Sequence, residues 1–594
     1  MSAVAFDGIV MAAVAAELNG MLPGARVDGI YQPARLDLLI VARQPGRNIP
    51  FFASSEPSTA RVHISHMERE NPVAPPAFCM LLRKRLLGAR VAFVRQRDLD
   101  RVLEVGFSGP YDDPPKTLVV EVMGRHSNII LLDATSGVVL DSIKHVSPQM
   151  SRVRVMYPGV RYAPPPPQEK LDPLSVSEDG FAQAFDHFSR ASPALSCEEF
   201  LVRSFAGFGR DSAMVVMSRA GIGSACPCAD LSRGAAHELW DAFRESVARI
   251  REGDFSSWAG ADSATGELKW ISVIGPPGPG SDMAANVEMR DFASAADLLD
   301  YAYAPREKAR TLATASSEIS RVVATTIERC RRKLAAQEEE VAEAERADEF
   351  RRMGELVMAN APTVKRGQAR ALLVDYFDPE LRQVEVELDP RLSAHENAQA
   401  YFARYSRAKR RLEVAREQVS RTRSELEYLE QVATTIELAQ TPEDIDDIRH
   451  ELVEQGYLAP QRAKQPKPRQ AKHSPRPMLF LVDGHEVLVG RNNRENDVLT
   501  MKIARPGDVW MHARGIPGAH VIVRVGPDGR VAGEVLLRAA EIAAYYSKAR
   551  AGSKVPVDYT ARRHVWKPKG ARPGMVLYDH EKTIVATPRP GVAT

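Results

Sequence analysis

No stretch of this 594-residue chain approaches the ~20 consecutive apolar residues of a membrane-spanning helix, so no membrane partner is expected. Cysteine is scarce. The five present, Cys79, Cys197, Cys226, Cys228 and Cys330, are odd in number and lack the paired spacing of zinc knuckles, which argues against a disulfide framework and a structural metal. Also missing are a phosphate-binding Gly-Lys-Ser/Thr loop, a His-Glu-x-x-His pair and a nucleophile elbow. No cofactor is expected, and the chain reads as one that binds rather than catalyses. The first residues lack the basic flank and cleavage pattern of a secretion signal, so a cytoplasmic location is expected.

What is present is charge, unevenly placed. The formal net charge is only +2, yet residues 461–594 hold 24 Lys and Arg against 11 Asp and Glu. A cationic end on an acidic body points to a polyanionic partner for that end. Two long charged segments, 306–350 and 395–438, organise the middle of the chain. In the first, Ile319, Val323, Ile327, Cys330, Leu334, Val341 and Ala344 recur at steps of four, three or seven, the pattern of a narrow helical seam. At ~1.5 Å per residue such a helix extends on the order of 65 Å. The second is of similar length, so an antiparallel coiled-coil hairpin is expected, carrying at its tip two short strands across a turn with Asp378-Pro379. Ser393 and Glu396 have capping-box spacing at the start of the return helix.

Residues 1 to about 170 read as strands alternating with short helices. The runs 118–123 and 129–132 flank Gly124-Arg125-His126-Ser127-Asn128, a β-hairpin with a polar, basic turn. Residues 75–86 form a helix with prolines before its start and a basic end, which suits either phosphate contact or pairing of cations with the helix dipole. Residues 173–260 look helical, with glycine turns at Gly207-Phe208-Gly209 and Gly221-Ile222-Gly223 that can offer amides to a phosphate or serve packing alone. Residues 461–477, with six Lys or Arg and no acid, read as a flexible basic linker. The last block is β-rich. There Arg491, Asn492, Asn493 and Arg494, with His512, Arg514 and His520 beside Trp510, suit contact with RNA, as do Arg125, His126 and Asn128 in the hairpin. Turn-stabilising Asn and Asp side chains explain part of residues 491–497 equally well.

Phe6-Asp7-Gly8, residues 75–86, Asp100-Arg101, 121–133, Gly354-Glu355-Leu356, 389–405 and nearly all of 491–588, in that order, resemble the NFACT family. The resemblance covers essentially the whole chain. It implies an α+β multidomain protein: an NFACT-N domain of mixed α/β type over 1–172, a helix-hairpin-helix module over 173–262, and a linker over 263–305. A coiled-coil arm follows over 306–440, with a middle domain at about 354–392, then a basic linker over 441–477 and a β-rich NFACT-R domain over 478–594. Family members bind the large ribosomal subunit and its rRNA while peptidyl-tRNA still obstructs it. They recruit an aminoacylated tRNA, alanyl in bacteria, so that the stalled nascent chain gains an untemplated C-terminal tail marking it for degradation. The family's tRNA-engaging positions match Asp100, Arg101, Glu121, Val122 and Met123. Read alone, Asp100-Arg101 is only a surface ion pair worth ~0–1 kcal/mol. The NFACT-N fold is also similar to the N-terminal domain of a bacterial DNA glycosylase family. That family's catalytic Pro-Glu start is absent from Met1-Ser2-Ala3. Relatives have also carried the name of fibronectin-binding adhesins, a role that requires export.

Overall fold

The computed structural model describes residues 6–591 apart from 73, 110–113, 152, 346, 460–476 and 527–528. Most of the expected basic linker therefore lies outside the described residues. The chain forms two compact units, residues 1–309 and 310–594.

In the first unit a helix, α1 (Gly8–Met21), precedes strands β1 (Arg26–Tyr31), β2 (Asp37–Gln44), β3 (Arg47–Ser54) and β4 (Arg61–Ile64). Then come α2 (Ala77–Leu86), β5 (Arg90–Gln96), β6 (Val102–Ser108), β7 (Lys116–Glu121), β8 (Asn128–Asp133) and β9 (Val139–Ser142). Among the described residues the nine strands make one antiparallel sheet in the order β4-β3-β2-β1-β5-β6-β7-β8-β9. The continuous apolar runs of β6 to β8 have a physical reason. Leu103, Val105, Leu118, Val120, Ile129 and Leu131 face the core under α1, whose Ile9, Met11, Val14 and Leu18 are buried. The alternate residues Val102, Val119, Ile130 and Leu132 fill a second core on the other face. The 118–132 hairpin forms as read, with Glu121 opposite Asn128 and a single helical turn at Gly124–His126.

Four helices follow, α3 (Glu178–Ala191), α4 (Cys197–Ser204), α5 (Arg210–Arg219) and α6 (Arg233–Glu252), clustered on Phe181, Phe200, Phe205 and Phe243. The stretch 263–305, expected as a linker, is structured instead. It supplies β11 (Leu268–Ser272) and β12 (Val287–Phe292), which flank β10 (Ser257–Asp262), and α7 (Ala295–Glu345) already begins within it. Trp270, Ile271 and Leu298 are buried there, more apolar surface than a linker carries.

The first turns of α7 are fixed to β4 by buried charge. Arg61, 1% exposed, meets the Glu307 carboxylate, and Arg69 Nε donates to the same group at 2.6 Å. Beside them His63 Nε2 lies 2.9 Å from Asp300, which also accepts from Ser65 Oγ at 2.7 Å and the His66 amide at 2.8 Å. Burial holds His63 neutral, with its pKa pushed down to about 4. For Asp300, burial pushes upward, but the bonds from His63, Ser65 and His66 outweigh it and hold the carboxyl at about 2.

In the second unit α7 lies beside α9 (Ala394–Leu438), and α8 (Ala347–Ala359), β13 (Arg370–Val374) and β14 (Gln383–Glu387) stand between them in sequence. Arg331 pairs with Glu430 at 2.7 Å, Arg423 with Glu338 at 2.8 Å and Arg416 with Glu345 at 2.8 Å, so the two helices run antiparallel. Ile319, Val323, Ile327 and Cys330 pack with Tyr428, Leu429, Val432 and Ile436. Ser393 and Glu396 form the anticipated capping box. The segment 441–477 is not wholly linker. Its first part is α10 (Pro442–Glu454), whose Ile445, Ile448 and Leu452 complete that core.

The C-terminal part has β15 (Met478–Val482), β16 (His485–Val489), α11 (Asn493–Val498), β17 (Val509–Ala513), β18 (Val521–Val523) and α12 (Gly533–Tyr545). It ends with β19 (Val555–Ala561), β20 (Val565–Trp566), β21 (Leu577–Tyr578) and β22 (Lys582–Ala586). The main sheet has the order β15-β16-β18-β17-β19-β22, while β20 and β21 form a separate ribbon.

Replacing Glu307 by Ala leaves Arg61 buried without its counter-charge, and should cost the first unit about 3–5 kcal/mol in denaturant unfolding. Below the ordinary histidine pKa, unfolded His63 takes up a proton that the folded chain does not. Stability conferred by keeping it neutral is full above about pH 6.5 and falls by about 1.4 kcal/mol per pH unit down to about pH 4. Denaturation midpoints measured across that range should show a shallower slope for His63→Gln than for the natural chain.

Candidate nucleic-acid interface

The Asp100-Arg101 pair ends a turn that the chain adopts under strain. Asp98 and Leu99 both lie in the left-handed region, with φ of 46° and 53°. For residues with a Cβ this costs about 1–2 kcal/mol each. Several bonds hold the turn in place. Gln96 Nε2 donates to Asp100 O at 2.9 Å and Gly8 O at 2.8 Å, and the Asp100 amide donates to Arg97 O at 2.7 Å. Leu99 rests on the start of α1 so closely that a Cβ on Gly8 would stand 1.9 Å from its carbonyl oxygen.

Beneath the turn lies Asp7. Its buried carboxylate caps α1 by accepting from the Val10 amide at 2.8 Å. It also accepts from the Gly209 amide at 2.9 Å and the Ser212 hydroxyl at 2.6 Å, while the Gly8 amide donates to Gly207 O at 2.9 Å. The glycine turn between α4 and α5 does present an amide to an anion, as its sequence allows. That anion is the chain's own Asp7, so the turn is not offered to a phosphate. Burial pushes the Asp7 carboxyl pKa up against the pull of Ser212 and the amides.

Asp100 and Arg101 stand where two clefts meet. One has a volume of about 1240 Å³ and is lined by Met123, Arg125, His126 and Lys144 among others. The other, about 420 Å³, is lined by Leu99, Val122, Lys170 and Phe208 among others. Asp100 Oδ1 accepts from the Arg101 amide at 2.8 Å, and the Val122 amide bonds Arg101 O at 2.9 Å, which ties the pair to β7. The Arg101 guanidinium has no hydrogen-bond or ion-pair partner among the described residues. Lys170 stands near it, its pKa lowered by burial first and then by Arg101. Two cations facing one cleft wall make a seat for a phosphate, and the planar guanidinium adds a bidentate fork.

The other expected site residues divide by exposure. Glu121 is 1% exposed, and Arg154 grips it with two bonds of 2.5 and 3.1 Å while Tyr162 donates at 2.8 Å. That makes it a strut of the larger cleft, not a free acceptor. Val122 is core. Asn128 is buried, with its amide committed to Lys144 and Ile129. Met123, Arg125 and His126 line the cleft, Arg125 Nε donating to His126 Nε2 at 2.9 Å. Lys144, Arg154 and Lys170 are additional cations that sequence reasoning passed over, because nothing in their spacing brings them to this wall.

In the second unit the expected RNA contacts are largely turned inward. Asn492 caps α11 by accepting from the Glu495 amide at 2.8 Å, and Asn493 donates to Glu451 at 3.0 Å. His520, 2% exposed, bonds Thr500 at 2.8 Å and packs edge-on against buried Trp510. These three side chains serve the fold. Trp510 cannot stack on a base from inside the core. Burial keeps His520 neutral, its pKa near 3, and lowers that of the partly exposed His512. Arg491 is held by Asp444 and Glu495, Arg494 by Glu454 at 3.5 Å and Arg514 by Asp558 at 3.1 Å. The surface instead carries Lys502, Lys548, Lys554, Lys569 and Lys582, which make no ion pair among the described residues, and Trp566, 45% exposed. An exposed indole among unpaired lysines suits unstacked bases and phosphates.

A cationic cleft on a mixed α/β unit and a lysine-edged β-rich end define a multidomain nucleic-acid-binding protein. Residues 7–471 match the model of the NFACT N-terminal and middle domains, and residues 478–579 that of the NFACT protein RNA binding domain. The chain belongs to the NFACT family. It is 35% identical to the Rqc2 homolog RqcH of Bacillus subtilis over 595 aligned residues, 98% of each chain. The human ribosome quality control complex subunit NEMF is 30% identical over 128 residues, 22% of this chain and 11% of that protein. A solved structure, the C-terminal part of the fibronectin/fibrinogen-binding protein from Streptococcus suis, is 34% identical, covering 47% of this chain and 96% of that one with a TM-score of 0.37.

Gly8→Ala should displace the 98–101 turn while leaving the sheet intact. Hydrogen exchange at the Asp100 amide should then quicken by tenfold or more, with the amides of β6 to β8 unchanged.

Proposed function

We propose that this chain is a ribosome quality-control factor that binds the large ribosomal subunit while peptidyl-tRNA obstructs it. There it recruits a tRNA, alanyl by family resemblance, for untemplated C-terminal tailing of the stalled nascent chain. The observation that carries the reading is Arg101, whose guanidinium has no partner among the described residues, beside Asp100 on a braced turn between two clefts, in a chain similar over 98% of its length to RqcH of Bacillus subtilis. Arg101, with Lys170 behind it, takes a tRNA phosphate, while Asp100 fixes the turn and accepts from a nucleotide donor. Arg125, His126 and Met123 line the path of the RNA, and Glu121 and Val122 hold the wall. The NFACT-N domain thus engages tRNA and the paired helices α7 and α9 serve as an arm. The lysine-edged C-terminal domain adds affinity for rRNA. The chain catalyses nothing itself: peptide-bond formation belongs to the ribosome, and this protein supplies position.

The test is RNA sequencing of material that co-purifies at gentle salt with the natural chain and with Asp100→Ala/Arg101→Ala. Large-subunit rRNA is expected with both, and tRNA enriched at least tenfold only with the natural chain, along with loss of C-terminal tails in the variant. Absence of both RNAs from both preparations refutes the reading and turns attention to an exported adhesin. Loss of rRNA from the variant alone would make the pair a structural element and not a tRNA contact.

A further inference from the structure

His564, Asp579 and His580 stand together at the end of the β20–β21 ribbon. Val565 pairs with Tyr578 and Trp566 with Leu577, which makes His564 and Asp579 neighbours across the ribbon. The Asp579 amide donates to His564 O at 3.2 Å. His580 follows with φ of 54°, a left-handed conformation that turns its ring back toward His564. Thr560 Oγ1 secures the bend by donating to Asp579 O at 2.9 Å. The two imidazole centroids are 4.7 Å apart at 65°. One ligand atom from each of the three side chains lies within 4.8 Å of the other two, and His564 Nδ1 is 3.3 Å from Asp579 Oδ1.

We propose that His564, Asp579 and His580 bind a divalent transition-metal ion, zinc(II) by its chemistry, with water completing the shell. A tetrahedral ion with bonds of ~2.0–2.1 Å sets its ligand atoms about 3.3 Å apart. His564 and Asp579 already have that separation, and a rotation of the exposed His580 ring brings in the third. Two imidazole nitrogens and one carboxylate favour borderline transition ions over calcium or magnesium, which prefer oxygen shells. Arg563 Nε now donates to His564 Nε2 at 3.2 Å, so the ring proton resides on Nδ1 and faces Asp579. On binding, that proton moves to Nε2, Nδ1 takes the metal, and the exposed Arg563 turns away. The bound ion ties a strand end to the following turn and thereby fixes the ribbon that displays Trp566. The alternative is a plain surface histidine–carboxylate pair with a second ring packed on it.

The full chain, stripped with a chelator, is titrated with cobalt(II) as a spectroscopic probe and then with zinc(II). One saturating equivalent with visible ligand-field bands is expected, displaced by zinc. Binding should weaken at least tenfold in each of His564→Ala, Asp579→Ala and His580→Ala, and stay unchanged in His395→Ala, an exposed histidine on α9. The far-UV circular dichroism of all four variants should match the natural chain, since these side chains are at the surface. Featureless or unsaturable binding, or a spectrum that persists in the three ribbon variants, overturns the site. The clasp role has its own readout: zinc should slow hydrogen exchange at residues 564–566 and 577–580 in the natural chain only. Unchanged exchange there refutes the clasp.

Discussion

The Asp7 carboxylate is the constraint on which the first unit's site depends. It accepts from the first turn of α1, from the glycine turn before α5 and from Ser212, so two segments about 200 residues apart in sequence share one buried carboxylate. Each of those donors, left without a partner, would cost about 1–3 kcal/mol. That shared dependence is why α1 begins where it does and why Gly8 and Gly207 stand against Leu99. The strained 98–101 turn is then over-determined by its surroundings, which is what lets backbone strain persist in a folded chain. Arg101 is rigid in its main chain and free only in its side chain. A guanidinium on such a mount loses less freedom on meeting a phosphate than one on a mobile loop.

Much of this was legible in the sequence, and the failures have a common physical origin. The hairpin around residues 124–128 was readable because strand alternation and a polar turn are local signals. So was the helix pair, since a narrow apolar seam on a charged background is a local signal as well. The 263–305 and 441–477 segments misled because loop-like composition hid short elements whose burial is decided by distant partners. Ile445, Ile448 and Leu452 look like an ordinary amphipathic turn until Tyr428 and Leu429 are brought beside them. Asp100-Arg101 was singled out only through family resemblance, and Lys170, near Arg101, lies in none of the motifs that the sequence displays. Cysteine spacing likewise does not show that the Cys228 and Cys197 thiols lie 3.6 Å apart, across a bridge between residues 196 and 227.

In the second unit the same distinction separates charge from available charge. The sequence located a basic end correctly as a sum, then chose the arginines nearest to Asn and aromatic residues. Arg491, Arg494 and Arg514 are among those the fold pairs with acids. Arginine suits that duty because its fork matches a carboxylate and it is weakly hydrated. Lys502, Lys548, Lys554, Lys569 and Lys582, more strongly hydrated, stay at the surface, where their charge is free to displace counterions from a polyanion, while Lys567 pairs with Asp497. The aromatic residues divide in the same way, Trp510 into the core and Trp566 outward.

The buried polar groups explain why these features coexist in one stable chain. Arg61, Glu307, His63 and Asp300 pin α7 to β4, Glu121 pins β7 to Arg154, and Asn493 pins α11 to Glu451. Each bonds a partner on another element, although Arg61 Nε, His63 Nδ1 and Asn493 Oδ1 are left without one, so each specifies a register that apolar packing alone would leave looser. The cations that remain unpaired in this framework cost little, because they face solvent. Their mutual repulsion is relieved when an anion arrives, and the affinity gained is therefore strongly dependent on salt.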